Sequence, residues 1–330
     1  MKKSTWNLSN APSQKGKIAI VTGANAGLGF ETTLGLVEKG AKVIMACRNQ
    51  NKAEKAKADI LTKVPDADLE VMEIDLSKLK SVRSFASAFS EKYGSLDLLI
   101  NNAGVMIPPY QKTEDGFELQ MAANYFGHFL LTGLLLKTIT STPESRIVSL
   151  SSIAHKNGKI HFDNLHWEKN YSKMKAYEQS KLACLIFAFE LQRRLEKAGS
   201  STISVAAHPG ISNTELSKHV PKLMYFLIRP LASLYIHKPK KGALPTLMAA
   251  LGTKVKGGDY YGPTGNKSET KGPPGLARSK SKARNSKTWR HGMFLSTSHG
   301  PQCKSHWSTP ETRRAIATAC CQSAVHKHLS

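Results

Sequence analysis

Between residues 17 and 207, short apolar runs alternate strictly with segments of helical pattern. The runs fall at 17–22, 41–46, 69–74, 97–100, 146–150 and 202–207, and the helical segments at 30–39, 51–63, 81–93, 118–139 and 175–197. Strands joined through helices build a parallel, doubly wound sheet. Nearly continuous apolar strands require helices on both faces of that sheet. The expected fold is therefore a single α/β domain with a parallel sheet of about seven strands. A chain of 330 residues with 40% apolar content can bury such a core.

Composition removes several other classes. The five cysteines, Cys47, Cys184, Cys303, Cys320 and Cys321, show no CxxC spacing and are odd in number. Neither a disulfide framework nor a metal site is expected, and a reducing, cytoplasmic location fits. Residues 1–14 form an extension without an apolar leader core, and no run is long enough for a membrane span. The net charge of +23 resembles that of a nucleic-acid binder. Much of it lies in the tail, where residues 270–330 carry eleven Lys/Arg against one acid, Glu311. The rest is scattered along helical surfaces, so no nucleic-acid partner is expected.

Three signals carry chemistry. The first βα turn reads Thr22-Gly23-Ala24-Asn25-Ala26-Gly27-Leu28-Gly29, where glycines let a pyrophosphate approach the backbone and a helix N-terminus faces it. The second strand ends Ala46-Cys47-Arg48-Asn49, with no acid before Glu54. An acid there would bind a ribose hydroxyl, whereas an arginine suits a 2′-phosphate, so NADP(H) is expected over NAD(H). Finally, Tyr177 and Lys181 stand four residues apart on a helical segment, hence on one face. An ammonium so near a phenol favours proton transfer. With the Ser151-Ser152 pair closing the fifth strand, these signals describe a nicotinamide-dependent redox enzyme.

Thr22-Gly23-x-x-x-Gly27-x-Gly29, Asn101-Asn102-Ala103-Gly104, Asn124, Ser152, Tyr177-x-x-x-Lys181 and Pro209-Gly210 together resemble the short-chain dehydrogenase/reductase family over residues 15–285. The runs 46–49 and Ser151-Ser152-x-Ala154-His155 resemble its retinol-dehydrogenase-like branch. The resemblance implies a Rossmann-type domain interconverting a carbonyl and an alcohol on an apolar substrate. Tyr177 would be the general acid or base and Lys181 its partner, also holding the nicotinamide ribose. Ser152 would hydrogen-bond the substrate oxygen, and Asn124 would steady the lysine. Gly23, Asn25, Ala26, Gly27, Leu28, Gly29, Arg48, Asp75, Leu76, Asn102, Ala103, Gly104, Pro209, Gly210 and Thr214 would contact the cofactor, Asp75 at the adenine. His155 and His208 read as structural, since the Tyr–Lys pair already supplies proton transfer.

Two departures stand out. An added loop over 153–176 separates Ser152 from Tyr177, and the tail at 286–330 lacks the amphipathic helix usual in such enzymes. That tail reads as disordered, and as divergent or frame-shifted. The segment 211–241 would form a substrate lid, its apolar stretch 223–236 being either a lid or a packing helix. The apolar continuation of the Tyr177 helix suits burial or a homodimer interface. Two other functions fit the same motifs: reduction of a C=C bond, as in protochlorophyllide reductase-like relatives, and a non-catalytic dinucleotide sensor or scaffold.

Overall fold

The computed structural model describes residues 5–211 and 238–279. Thr214, most of the expected lid and the tail lie outside the described residues. Among the described residues, eight strands form one sheet in the order β3-β2-β1-β4-β5-β6-β7-β8. They are β1 (Ile18–Thr22), β2 (Lys42–Cys47), β3 (Leu69–Glu73), β4 (Leu98–Asn101), β5 (Arg146–Leu150), β6 (Ile203–Ala207), β7 (Tyr260–Pro263) and β8 (Pro274–Leu276). The first seven pair in parallel, and β8 runs antiparallel to β7. The eighth strand adds to the expected seven. It is three residues long and begins with proline, which belongs on a sheet edge because it cannot donate to the ladder.

The helices are α1 (Gly27–Val37), α2 (Gln50–Leu61), α3 (Leu79–Lys92), α4 (Leu119–Met121), α5 (Gly127–Thr140), α6 (Lys173–Lys197), α7 (Pro239–Gly242) and α8 (Leu244–Leu251). A π turn, Ala122–Phe126, joins α4 to α5, so the helix expected over 118–139 is interrupted where Asn124 sits. Successive strand residues point to opposite faces. Ile20 of β1 packs with Ile44, Phe85, Phe89 and Leu131 in one core layer. Val21 packs with Val43, Leu36, Ile60 and Leu247 in the other. Both layers are closed, as a doubly wound sheet requires.

The continuation of α6 past Lys181 is apolar nearly all round, and its own chain covers it. Residues 182–188 are all buried, in a helix packed against β5 and β6 and against α4 with the π turn that follows it. The burial alternative for this helix therefore accounts for its composition without a second protomer. The N-terminal extension is anchored as well: Ala11 is buried, and the Gln14 N–H donates to Lys39 O at 2.7 Å.

Candidate active site

The order β3-β2-β1-β4 reverses the chain's direction of winding between β1 and β4. Ligands of open α/β sheets bind in the crevice beyond the strand ends at such a point. Here the turn after β1 and the Asn101–Gly104 run after β4 meet. Thr22 joins them: its Oγ1 accepts from the N–H of Asn102 and of Ala103, both at 2.9 Å. Asn102 Nδ2 returns a hydrogen bond to Thr22 O at 2.7 Å. Gly23 (φ +66°) and Gly27 (φ +55°) take left-handed backbone that disfavours a side chain. A Cβ on Gly29 would lie 2.1 Å from Gly23 O, so only glycine fits there.

A cleft of about 440 Å³ opens at this junction. Its lining includes Gly23, Asn25, Ala26, Gly27, Leu28, Gly29, Arg48, Asp75, Leu76, Asn102, Ala103 and Gly104, twelve of the expected cofactor residues. Lys52 and Asn49 also line it and were not foreseen. Asn49 caps α2 by accepting from the Lys52 N–H at 2.9 Å, satisfying a donor of the first helical turn. Ser77 donates to Asp75 Oδ1 from both its N–H (3.0 Å) and its hydroxyl (2.6 Å), fixing that carboxylate at the end of β3. Pro209 and Gly210 follow β6 and are not part of this lining; Gly210 (φ +74°) packs against Thr270 O instead.

Two of the residues expected to do chemistry, Asn124 and Lys181, meet at Gly104. The position of a Cβ on Gly104 is 3.0 Å from Asn124 Oδ1 and 3.3 Å from Lys181 Nζ, so glycine leaves room for the lysine tip. Lys181 Nζ donates to Leu150 O at 3.2 Å and lies 5.9 Å from the centre of the Tyr177 ring. Both side chains are buried. Asn124 Oδ1 accepts from the Val105 N–H (2.7 Å), and its Nδ2 donates to Val105 O (3.0 Å) and Ser180 Oγ (2.9 Å).

The two serines separate clearly. Ser151 is buried and its hydroxyl is committed to Lys181 O at 2.8 Å. Ser152 is only partly buried, in extended backbone at the start of a 3-10 turn, and its Oγ accepts from the Ala154 N–H at 3.2 Å. His155 is buried with Nδ1 2.6 Å from Ser152 O, and His208 is buried beside Gly262. Both positions agree with the structural reading of these rings.

His128 was missed. It lies four residues past Asn124 and bridges the two halves of the site, with Nδ1 2.9 Å from Asn124 O and Nε2 2.8 Å from Thr22 Oγ1. A carbonyl can only accept, so Nδ1 carries the proton and Nε2 accepts from the Thr22 hydroxyl. Its one sequence signal is the helical spacing from Asn124.

The short chain dehydrogenase family model matches residues 17–223. The chain belongs to the short-chain dehydrogenase family. Among curated relatives, this short-chain dehydrogenase is 44% identical to retinol dehydrogenase 11 of Homo sapiens, over 74% of its own length and 77% of the relative's. It is 46% identical to the Mus musculus retinol dehydrogenase 11 (72% and 73% covered) and 42% identical to Homo sapiens retinol dehydrogenase 13 (74% and 76%). These place it in the retinol-dehydrogenase-like branch. A crystal structure of an uncharacterized protein from Mycobacterium paratuberculosis aligns over 97% of both chains with TM-score 0.71 and 34% identity. A Pseudomonas aeruginosa RhlG/NADP complex shares the fold at TM-score 0.59 and 24% identity, covering 75% and 94%. The dehydrogenase is thus an oxidoreductase of a family that uses nicotinamide dinucleotides. No helix among its described residues is long and apolar enough to cross a membrane.

The buried histidines of this dehydrogenase set an acid limit on its stability. Burial pushes His128 down to about 4 and His208 down to about 3. In the unfolded chain both return to about 6.5. As pH falls below that value the unfolded state takes up protons that the folded state refuses. The stabilisation is therefore complete above about pH 6.5 and is lost as pH falls toward the folded values. Urea unfolding at about pH 7.5 and about pH 5 should differ by roughly 2 kcal/mol per histidine. His128→Gln should remove about half of that difference; a difference unchanged by the substitution would contradict the account.

Proposed function

We propose that this enzyme interconverts a carbonyl and an alcohol on an apolar substrate with NADP(H) as its cofactor. The meeting of Asn124 and Lys181 at Gly104, with the Tyr177 ring beside Lys181, next to a cleft that Gly104, Arg48 and Lys52 all line, is the observation that carries the reading. The residues present fit a dinucleotide. The glycine cradle admits backbone-close phosphates, α1 points its N-terminus there without a side-chain cap, and Asp75 stands at the end of β3.

The bound nicotinamide would supply the hydride or accept it. The chain's own residues handle the oxygen. Tyr177 would pass its phenolic proton to the carbonyl oxygen as charge develops there, and take it back in alcohol oxidation. The Ser152 hydroxyl would donate to that same oxygen, an interaction that strengthens as the oxygen becomes more basic. Lys181 would put positive charge beside the phenol, and the Leu150 carbonyl that accepts from Nζ holds it in place. Asn124 supports both, through Ser180 on the tyrosine's helix and through Val105 on the cleft wall.

Arg48 and Lys52 favour NADP(H), because two cations near the adenosine end suit a 2′-phosphate better than a free hydroxyl. The retinol dehydrogenase relatives support a retinoid-like or other long apolar substrate. The two buried free thiols, Cys47 and Cys184, are compatible with a cytoplasmic enzyme.

One experiment tests cofactor and reaction together. Purified protein is assayed with NADPH or NADH against decanal, all-trans-retinal and a steroid ketone. NADPH-dependent loss of a carbonyl is expected, with Arg48→Asp shifting the NADPH/NADH ratio of kcat/KM by about ten- to a hundredfold toward NADH. Equal use of both cofactors by the unmodified protein would defeat the Arg48 assignment. Reduction of a C=C bond with the carbonyl left intact would defeat the reaction class.

A further inference from the structure

The cleft wall after β4, residues 104–107, is held by two side-chain amides from the helix that follows. Asn124 grips both backbone groups of Val105. Gln120, four residues earlier and fully buried, takes the next rung: its Oε1 accepts from the Ile107 N–H at 2.9 Å. Ile107 sits at φ +49°, a left-handed conformation that a β-branched residue adopts only where its surroundings impose it. Gly104, Val105 and Met106 of the same segment face the cleft.

Each amide also reaches α6. Asn124 Nδ2 donates to Ser180 Oγ, whose own proton goes to Tyr177 O at 2.8 Å. Gln120 Nε2 donates to Lys173 O at 2.9 Å and to the Tyr171 hydroxyl at 3.1 Å. The Tyr171 hydroxyl lies 3.2 Å from both Pro108 O and Glu118 Oε1, so it too bridges the wall and the α4 end. Lys173 lies four residues before Tyr177 and Ser180 three after it. Helix α6 is thus fastened to one cleft wall about a turn to either side of the phenol. The Gln120 amide uses its acceptor on the wall and its donors on the entry to α6, which accounts for a fully buried polar group.

We propose that Gln120 is a positioning residue of the reaction, setting the spacing between the cofactor wall and Tyr177. This rests on Tyr177 being the proton donor of the proposed reaction. Gln120 touches neither substrate nor cofactor; it acts through Ile107 and Lys173.

The test uses the full chain and the aldehyde of the panel above that it reduces fastest. Gln120→Met keeps length and bulk without hydrogen bonds, and Gln120→Glu keeps the acceptor for Ile107 while losing the donors to Lys173. Measured are NADPH Kd by fluorescence titration, kcat at saturating cofactor, and the primary isotope effect with deuterated NADPH, all well below each variant's unfolding temperature. Gln120→Met should lose about ten- to a hundredfold in kcat, with NADPH Kd within about threefold and a larger isotope effect as the chemical step slows. If that variant does not fold, Gln120→Glu carries the test, with the same loss of kcat expected. A folded variant with kcat within about twofold of the parent, or one whose loss is fully explained by weaker NADPH binding, would overturn the proposal. An unmodified protein without NADPH-dependent turnover would instead overturn the reading of the reaction, and this inference with it.

Discussion

Tyr177→Phe should reduce kcat by about a hundred- to ten-thousandfold, the usual contribution of a positioned general acid, and leave NADPH binding nearly unchanged. The reason lies in what the substitution spares. Tyr177 is buried, with Ala176, Ser180 and Lys181 around it on α6, and phenylalanine fills the same volume. Its backbone carbonyl still accepts from Ser180 and its ring still lies under Lys181 Nζ. Only the phenolic hydroxyl is lost, and with it the exchangeable proton. Single-turnover reduction of an aldehyde, followed by NADPH fluorescence, separates the two quantities. A folded Phe variant with normal turnover would remove Tyr177 from the mechanism, and Ser152 or a solvent proton would have to take over its work.

The second large effect is expected at Gly29. An alanine there would bring Cβ to 2.1 Å from Gly23 O, 2.8 Å from Gly23 C and 2.6 Å from Asn102 Nδ2. Two of these atoms are backbone and cannot swing aside, and Asn102 is itself bonded to Thr22 O. The turn must open, which costs about 1–3 kcal/mol as overpacking and displaces the amides that would receive the pyrophosphate. NADPH Kd should weaken by about a hundredfold, or roughly 3 kcal/mol. Gly94→Ala is the matched control, because nothing lies within 4 Å of the Cβ it would add. Calorimetric titration of both proteins reads the difference. If Gly29→Ala binds NADPH as the parent does, the glycine turn is not the phosphate seat.

The parts of this molecule that were legible from sequence are those where one short segment is enough to state the physics. Each of the first six strands is an apolar run between helical segments, and the sheet order places their ends where expected. The glycine turn, Arg48, Asp75 and the Asn102–Gly104 run fall in one cleft because each closely follows a strand. The short strands β7 and β8, the last two at one end of the sheet, carry Gly-Pro and Pro-Gly in place of an alternating pattern, so neither stood out. His128 and Gln120 were illegible for a different reason. Each is a polar residue on a largely buried helix, and its meaning comes from partners 13 to 106 positions away or from a turn whose shape no local pattern announces. Lys52 carries no local sequence signal; its place in the cleft lining is visible only in three dimensions. The choice of Ser152 over Ser151 came from the resemblance alone; that the Ser151 hydroxyl is engaged by Lys181 O is visible only in three dimensions.

The π turn at Ala122–Phe126 carries a cost for the lineage as well as a benefit for the site. π turns are rare within helices and cluster where function demands them. It begins two residues after Gln120 and contains Asn124, these being the two amides that grip the cleft wall, and its residues are all buried. Loss of one residue here would restore an ordinary helix, yet it would turn every later side chain by about 100° relative to Gln120. Asn124, His128 and the packing of Gly127 on Leu76 would all be carried out of place. The stretch is therefore closed to insertions and deletions in a way that its apolar composition does not reveal. Drift in this protein can change which residues stand along the helix, but hardly how many.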